Sequence, residues 1–476
     1  MSSGAGSPAA QRWINSPKAV ALVGLGVANT ACARALHAHG HTVVLCDDGD
    51  SSGGERLAAE LGCAFVHRPR RPELLELLGD CVAVLPTPGL PEAHPAFGVA
   101  AELDLELLSE FDLAAAWDDR PLLAVTGTNG KTTVCTLTAA MLEESGISCA
   151  AVGNLDVPLV AAIEDPGPSC FVVEASSFRL ARSTRFAPGV ATWLNFAADH
   201  LDVHSDLESY REAKARIWSH QGPGDVAVYN ADDPVVSDAV LGVPEGVEAI
   251  GFTLSQGTGA PGVPMYRETN GMILDPSGAE LLEVERLWSR LPHDRRNVMA
   301  SAATALAGGA SPDGVCRAAL AFRGLPHRVE LVASHDAVRF YNDSKATTPH
   351  ATLAALKGFD SVVLIAGGRN KGVDLSVLGT AGNVSAAVGI GEAGAEVASA
   401  FRERPTVLAT DMDDAVRRAA SLASPGDTVL LSPGCASFDA YGSYAERGEA
   451  FRAAVERLGG TGASDSPDGT SGDAHG

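Results

Sequence analysis

Val125-Thr126-Gly127-Thr128-Asn129-Gly130-Lys131-Thr132-Thr133 follows the apolar run Pro121-Leu122-Leu123-Ala124, which has the character of a short buried strand. It precedes residues 134–144, where Leu137, Ala140, Met141 and Leu142 recur at helical spacing. Strand, glycine loop, Lys, Thr, helix is the layout of a phosphate-binding loop. Its glycines let backbone N–H groups close on an anion, the helix N-terminus adds positive potential, and Lys131 supplies a mobile charge. Thr132 or Thr133 then offers a hydroxyl to Mg²⁺. The general pattern G-x-x-x-x-G-K-[ST] is not met, because Val125 stands six positions before Lys131; the loop is the shorter T-G-T-N-G-K-T-T. The alternative is a Gly/Thr turn without a ligand, and the strand before and helix after weigh against it. The loop is read as a nucleoside triphosphate site.

The rest of the chain bounds that reading. A length of 476 residues suggests about two to four domains. Lys and Arg number 35 against 59 Asp and Glu, a formal net charge of −24, which argues against a nucleic-acid partner or a basic membrane anchor. The 9 cysteines are odd in number and scattered, with no C-x-x-C, so reduced thiols in a cytoplasm are expected rather than a disulfide framework or a zinc site. No apolar run reaches the length of a membrane span, and no signal peptide opens the sequence. A soluble cytoplasmic protein is expected, with a monomer as the default. Residues 1–16 and the Gly/Ser/Asp-rich tail 459–476 have the composition of disordered segments.

Residues 1–118 open with a strand at 19–23, then Gly24-Leu25-Gly26-Val27-Ala28-Asn29, a helix at 31–39 and a strand at 42–46 ending in Asp47-Asp48. This is a dinucleotide-binding βαβ layout with an acid about 20 residues past the glycines, except that Asn29 replaces the third glycine. Either an NAD site or a sugar-nucleotide site on a similar fold satisfies these residues. A further strand at 81–85 runs into Pro86-Thr87-Pro88-Gly89, at the sheet edge where open α/β folds bind ligands.

In residues 119–323, a strand at 169–173 ends in Glu174-Ala175-Ser176-Ser177-Phe178. Glu174 is placed either to hold Mg²⁺ or to belong to a helix cap. A strand at 190–194 leads to Asn195 through Asp202, in which His200 is a ligand or a plain surface histidine. A helix at 207–219 carries Tyr210, Lys214, Ile217 and Trp218, and Lys214 alone would read as a solvated lysine. A strand at 225–229 follows, and Pro292-His293-Asp294-Arg295-Arg296-Asn297 opens an Ala-rich helix. Residues 324–458 again alternate strands and helices, with polar loops at Asn342-Asp343-Ser344-Lys345, at Gly367 to Gly372 and at Ser432 to Asp439. The expected fold is α/β in three domains: a Rossmann-like N-terminal domain, a central P-loop-type ATPase domain and a C-terminal Rossmann-like domain.

The ordered series TGTNGKTT, EASSF, DHLD, YREAK, LPHRVE, NDSKAT, GGRNKGVD and LLSPGCASFD, lying in residues 126–439 of a match that covers residues 19–455, resembles the Mur ligases of peptidoglycan synthesis, and among them the branch that adds D-glutamate. The resemblance implies that ATP phosphorylates the carboxylate of UDP-N-acetylmuramoyl-L-alanine, and that the amino group of D-glutamate attacks the acyl phosphate. It implies catalytic roles for Lys131, His200 and Lys214. ATP would be held by Gly127, Thr128, Asn129, Gly130, Lys131, Thr132, Thr133, Asn297, Arg328 and Asp343. Two Mg²⁺ ions would meet Thr132, Glu174, His200 and Lys214, with Lys214 carbamylated. The UDP-substrate would meet Gly24, Leu25, Gly26, Asn29, Asp47 and Asn154, and D-glutamate would meet Thr347, Lys371, Ser437, Phe438 and Tyr444. Two departures stand out: Asp294 where Asn is common, and Arg369-Asn370 in place of Asp-Gly before Lys371. The rivals are a plain P-loop ATPase, an NAD-dependent oxidoreductase, and a related ligase for another amino acid.

Overall fold

The computed structural model describes residues 12–49, 51–155, 157–197, 199, 203–255, 262–370 and 372–460. Residues 1–11, His200, Lys371 and residues 461–476, all subjects of expectations above, lie outside them. The chain divides into two compact units, one ending at Phe322 and one beginning at Arg323.

The first unit holds two sheets. In the first, β1 (Ala19–Val23), β2 (Val43–Asp47), β3 (Ala64–His67), β4 (Cys81–Pro86) and β5 (Glu106–Leu107) run parallel in the order β3-β2-β1-β4-β5. All five residues of β1 are buried, as expected of a central parallel strand covered on both faces. The order reverses between β1 and β4, and the glycine loop after β1 lies at that switch point. The helix after β1 spans Val27–Ala38, four residues earlier than expected at its start, because Gly26 in extended conformation serves as its N-cap. Trp13 corrects the expectation of disorder up to residue 16: it is 1% exposed, with its ring centroid 5.2 Å from that of His41 and 5.9 Å from that of Trp117. One large apolar ring was enough to tie down a polar segment.

The second sheet contains β6 (Leu122–Thr126), β7 (Cys149–Gly153), β8 (Cys170–Glu174), β9 (Val190–Trp193), β10 (Val226–Asn230), β11 (Glu248–Thr253), β12 (Met265–Thr269), β13 (Met272–Leu274) and β14 (Glu280–Glu283). Their order is β14-β13-β12-β11-β10-β9-β6-β8-β7, parallel except at β13 and β14. The strand leading into the phosphate loop is therefore flanked by β8 and β9. Register places Val125 opposite Glu174 and Thr126 opposite Trp193. The carboxylate at the end of β8 is thus level with the start of the loop.

Against one face of this sheet pack the helices Lys131–Glu144, Pro292–Ala307 and Pro312–Ala321, through Val134, Leu137, Met141, Met299, Ala303 and Val315. The small residues of Pro292–Ala307 let it approach closely, and Ser301 Oγ reaches the Val134 carbonyl at 3.4 Å. The helix carrying Lys214 spans Leu207–Ala215, shorter than the expected 207–219. Beyond it, Ile217 and Trp218 donate to carbonyls three residues back, which tightens the chain into turns.

Asp112 ties the first sheet's last helix, Glu110–Trp117, to the segment after β8. It forms a capping box with Ser109 and accepts from Ser183 Oγ at 3.2 Å and from the Thr184 and Arg185 N–H groups at 2.9 Å each.

The second unit contains β15 (Glu330–His335), β16 (Val338–Asn342), β17 (Val362–Gly367), β18 (Val384–Ile390), β19 (Thr406–Leu408) and β20 (Thr428–Leu431), in the order β15-β16-β20-β17-β18-β19. Only β15 pairs antiparallel. Its last helix, Tyr444–Gly460, runs into the stretch expected to be a disordered tail. Among the described residues no helix is long and apolar enough to cross a membrane.

Asp112 is fully buried and acts for several donors at once, so Asp112→Ala takes the acceptor from the buried Ser109 N–H and Ser183 hydroxyl as well as from the Arg185 N–H. Unfolding of the first unit in urea is expected to show a loss of about 3 kcal/mol or more; a change under about 0.5 kcal/mol, typical of a surface position, would contradict this reading.

Candidate active site

The loop between β6 and the helix Lys131–Glu144 is closed by backbone geometry. Gly130 is the N-cap with φ +89°, a left-handed conformation, and a Cβ there would come within 2.6 Å of Asn297 Oδ1. Glycine is needed for both reasons. Its N-cap makes no side-chain hydrogen bond, and a helix N-terminus of this kind carries positive potential that favours an anion. The loop is braced from the end of β9: Asn195 accepts from Asn129 N at 2.8 Å through Oδ1, and its Nδ2 donates to Asn129 O at 3.0 Å. Thr128 Oγ1 accepts from Ala197 N at 3.0 Å and stands 3.3 Å from the Tyr210 hydroxyl.

Two ammonium groups converge on one carbonyl. Lys131 Nζ donates to Gly127 O at 2.8 Å and to Thr128 O at 3.0 Å, while Lys214 Nζ donates to the same Gly127 O at 2.8 Å. Lys214 is 1% exposed and lies 4.6 Å above the Tyr210 ring. Burial, and then the neighbouring charge of Lys131, push its pKa well below the ordinary lysine value; Asp199 and Glu174 pull weakly the other way. It is not the solvated helix lysine that its local sequence would suggest. Two cations sharing one carbonyl repel, so the site favours a neutral Lys214 or an arriving anion.

Glu174 is buried at the end of β8. Its Oε1 accepts from Asn154 Nδ2 at 3.1 Å, whereas Oε2 is buried and has no hydrogen-bond partner among the described residues. Ser176 caps the short helix Ser177–Leu180 through Arg179 N at 3.4 Å. The cap and the available carboxylate therefore coexist, and Glu174 is left for other work. Asn154, expected on the UDP-substrate side, is hydrogen-bonded to Glu174 and to Arg179, whose Nη1 donates to its Oδ1 at 2.8 Å.

At the end of β1, Gly24 has φ +81°, and a Cβ there would stand 2.5 Å from Thr87 Cγ2. Asp47 Oδ2 accepts from Leu25 N, and Oδ1 accepts from Gly49 N at 2.5 Å. Asn29 is fully buried and meets the loop from beneath, with Nδ2 donating to Gly24 O at 2.9 Å and Leu85 O at 3.0 Å. It supports the loop that Gly24, Leu25 and Gly26 form rather than facing outward.

In the second unit, Asp343 is buried and accepts from Val329 N at 3.2 Å and Ser432 Oγ at 2.8 Å. Arg328 lies in the turn just before Val329, and Thr347 is half-buried two residues past Lys345. Ser437 is buried, while Phe438 and Tyr444 are exposed. Arg369, at the departure before Lys371, pairs with Glu392 at 3.0 Å, so its charge is already engaged. Arg447 went unread in the sequence. It is buried and donates to the carbonyls of Ser344 at 2.9 Å, Cys435 at 3.1 Å and Ala436 at 3.2 Å, locking the two polar loops together. Burial lowers its pKa to about 10.

The model of the Mur ligase middle domain matches residues 125–285, and that of the Mur ligase, glutamate ligase domain matches residues 327–435. Over 458 residues the chain is 39% identical to a UDP-N-acetylmuramoylalanine--D-glutamate ligase of Frankia casuarinae, covering 93% of this chain and 94% of that protein. The chain belongs to the Mur ligase family. A relative of the same name from Streptomyces coelicolor is 37% identical over 479 residues, covering 93% and 99% of the two chains. Among solved structures, a pseudomurein peptide ligase type C from Methanothermus fervidus aligns with a TM-score of 0.55 at 16% identity, over 93% of this chain and 100% of that one. A UDP-N-acetylmuramate-alanine ligase from Thermotoga maritima gives a TM-score of 0.54 at 19% identity, again over 93% and 100%. This Mur ligase shares their fold.

Because its native pKa is lowered, Lys214 binds a proton more weakly when folded than unfolded, where its pKa is about 10.4. Stability must rise with pH between the lowered native value and the unfolded one. In bicarbonate-free buffer, Lys214→Met is expected to flatten that rise and to hold or raise stability at pH 7, as followed by urea unfolding at pH 7 and pH 9. An unchanged slope would contradict the burial argument.

Proposed function

We propose that this Mur ligase joins D-glutamate to UDP-N-acetylmuramoyl-L-alanine at the expense of ATP. The observation that carries the reading is the convergence of Lys131 and Lys214 on Gly127 O beside an uncapped helix N-terminus. The relatives that match nearly the whole chain, named as ligases of D-glutamate, support it. A carboxylate oxygen of the alanyl group attacks the γ-phosphorus of ATP, ADP departs, and an acyl phosphate forms. The amine of D-glutamate then attacks the acyl carbon, inorganic phosphate leaves, and the amine gives up a proton as the amide forms.

The loop 127–133 cradles the ATP phosphates, and Lys131 swings from the Gly127 and Thr128 carbonyls onto the developing charge. Asn297, beside Gly130, with Arg328 and Asp343 serves the nucleotide. The residues fit Mg²⁺: Glu174 offers a buried oxygen with no partner among the described residues, and Thr132 offers a hydroxyl in the first helical turn. His200 and Lys214 complete the set for two ions. Bound there, Mg²⁺ neutralises charge on the transferring phosphoryl group. The lowered pKa of Lys214 favours the neutral amine that reacts with CO₂, forming an N–C bond and releasing a proton; the product is an anionic carbamate able to hold a cation. Gly24, Leu25, Gly26 and Asp47 hold the UDP-substrate with Asn29 beneath, and Asn154 belongs to the same substrate set. Thr347, Lys371, Ser437, Phe438 and Tyr444 orient D-glutamate. The work divides over residues 1–118, 119–323 and 324–458, for the UDP-substrate, ATP and amino acid in turn. The enzyme acts as a cytoplasmic monomer, in keeping with nine free cysteines.

Phosphate release from Mg-ATP and UDP-N-acetylmuramoyl-L-alanine, with D-glutamate, L-glutamate, L-alanine and meso-diaminopimelate offered in parallel, tests this. Release only with D-glutamate, and a product heavier by one glutamyl residue, is expected; release indifferent to the amino acid would leave a plain ATPase. Lys131→Ala should lower kcat by about a hundredfold or more, as for loss of a group that meets transition-state charge. Intact mass in bicarbonate buffer should show one added CO₂ that is lost in Lys214→Met.

A further inference from the structure

Behind Glu174 runs a chain of side chains that begins outside the central sheet, buried at Glu110 and Arg179 and passing through the exposed Asn154. Glu110, in the first turn of the helix Glu110–Trp117, has its side chain 1% exposed and accepts from Arg179 Nε at 2.6 Å and from Leu159 N at 2.5 Å. Arg179 Nη1 donates to Asn154 Oδ1 at 2.8 Å, and Asn154 Nδ2 donates to Glu174 Oε1 at 3.1 Å.

We propose that Arg179, held by Glu110, is a positioning residue that fixes the amide of Asn154 and so presents Glu174 Oε2 to a divalent cation. The inference rests on the function proposed above and adds to it residues that the sequence motifs do not assign. A guanidinium can only donate and a carboxylate only accept, so an amide between them has one allowed orientation. With Oδ1 toward Arg179 and Nδ2 toward Glu174 both contacts are attractive. The flipped amide would set donor against donor and acceptor against acceptor. Asn154 therefore occupies Oε1, and Oε2 is the oxygen left over.

Glu110 matters for a second reason. A buried arginine this close to Glu174 would otherwise compete with a cation for its charge. Paired with Glu110 in a charge-assisted bond, Arg179 is neutralised on its far side and reaches Glu174 only through a neutral amide. The carboxylate keeps its charge for the metal.

The test is Mn²⁺ affinity in the presence of a non-hydrolysable ATP analogue, read by the electron paramagnetic resonance of free Mn²⁺, together with kcat, KM and thermal unfolding. Arg179→Gln carries an amide that can donate or accept, so the orientation of Asn154 is no longer enforced. It should weaken Mn²⁺ binding about tenfold, the lower end of the effect of losing a group that orients a metal ligand, and lower kcat more than it raises the KM of ATP. Arg179→Lys, again a pure donor, should recover part of the Mn²⁺ affinity. If Arg179→Gln does not fold because Glu110 is left charged and buried, Glu110→Gln with Arg179→Gln removes both charges and takes its place. A folded variant of either kind with wild-type Mn²⁺ affinity would overturn the proposal. Wild-type protein that holds no Mn²⁺ with the analogue would overturn the proposed function itself, and this inference with it. Tight Mn²⁺ binding without ligation would overturn only the choice of substrates.

Discussion

The carbonyl of Gly127 accepts hydrogen bonds from two lysine nitrogens, and the rest of the site is arranged around that crowding. Neither lysine can be fully content there. Lys131 stands at the head of a helix that has no side-chain cap, and Lys214 is sealed against the Tyr210 ring. The surrounding sheet and helices hold these groups close together. Their crowding is relieved when a phosphate or another anion arrives. Differential stabilisation of that kind is what acyl phosphate chemistry requires, since negative charge gathers as the phosphoryl group moves.

Parallel-sheet register sets the geometry. Because β6 lies between β8 and β9, the loop after β6 has Glu174 on one side and the 194–197 segment on the other. Asn195 braces the loop, and Asn154 and Arg179 brace Glu174. The same unit joins its two sheets through buried acids on one short helix: Asp112 holds the backbone at 183–185, and Glu110 holds Arg179. Changes at the first sheet's last helix can therefore reach the phosphate loop without touching a substrate.

Much of this was legible in the sequence. Strands at 19–23 and 428–431 lie where apolar runs put them, because buried parallel strands read as unbroken apolar stretches. The phosphate loop announced itself through glycine spacing, and Glu174 through its place at a strand end. Helix starts were less visible. Gly26 and Gly130 cap with backbone alone, so the helices begin earlier than their apolar periodicity shows. Trp13 was hidden by polar neighbours. Arg179, Glu110 and Arg447 left no local signal: their partners lie 69 residues away in the first pair and 103 in the bond from Arg447 to Ser344. Only Asp112 had a readable sign, the S-x-x-D capping box beginning at Ser109. Asn29 replaces a glycine because here an amide binds the ends of β1 and β4 together, a task no glycine can perform.

On this reading the charge gathered at Gly127 serves transfer of phosphate to a substrate carboxylate. The direct measurement places a heavy-oxygen label in the alanyl carboxylate of UDP-N-acetylmuramoyl-L-alanine and analyses the inorganic phosphate by mass spectrometry after one turnover with D-glutamate. One labelled oxygen per phosphate is predicted, since the acyl–oxygen bond breaks when the amine attacks. Phosphate whose new oxygen comes only from water would mean that ATP is hydrolysed without an acyl phosphate, and would contradict the account.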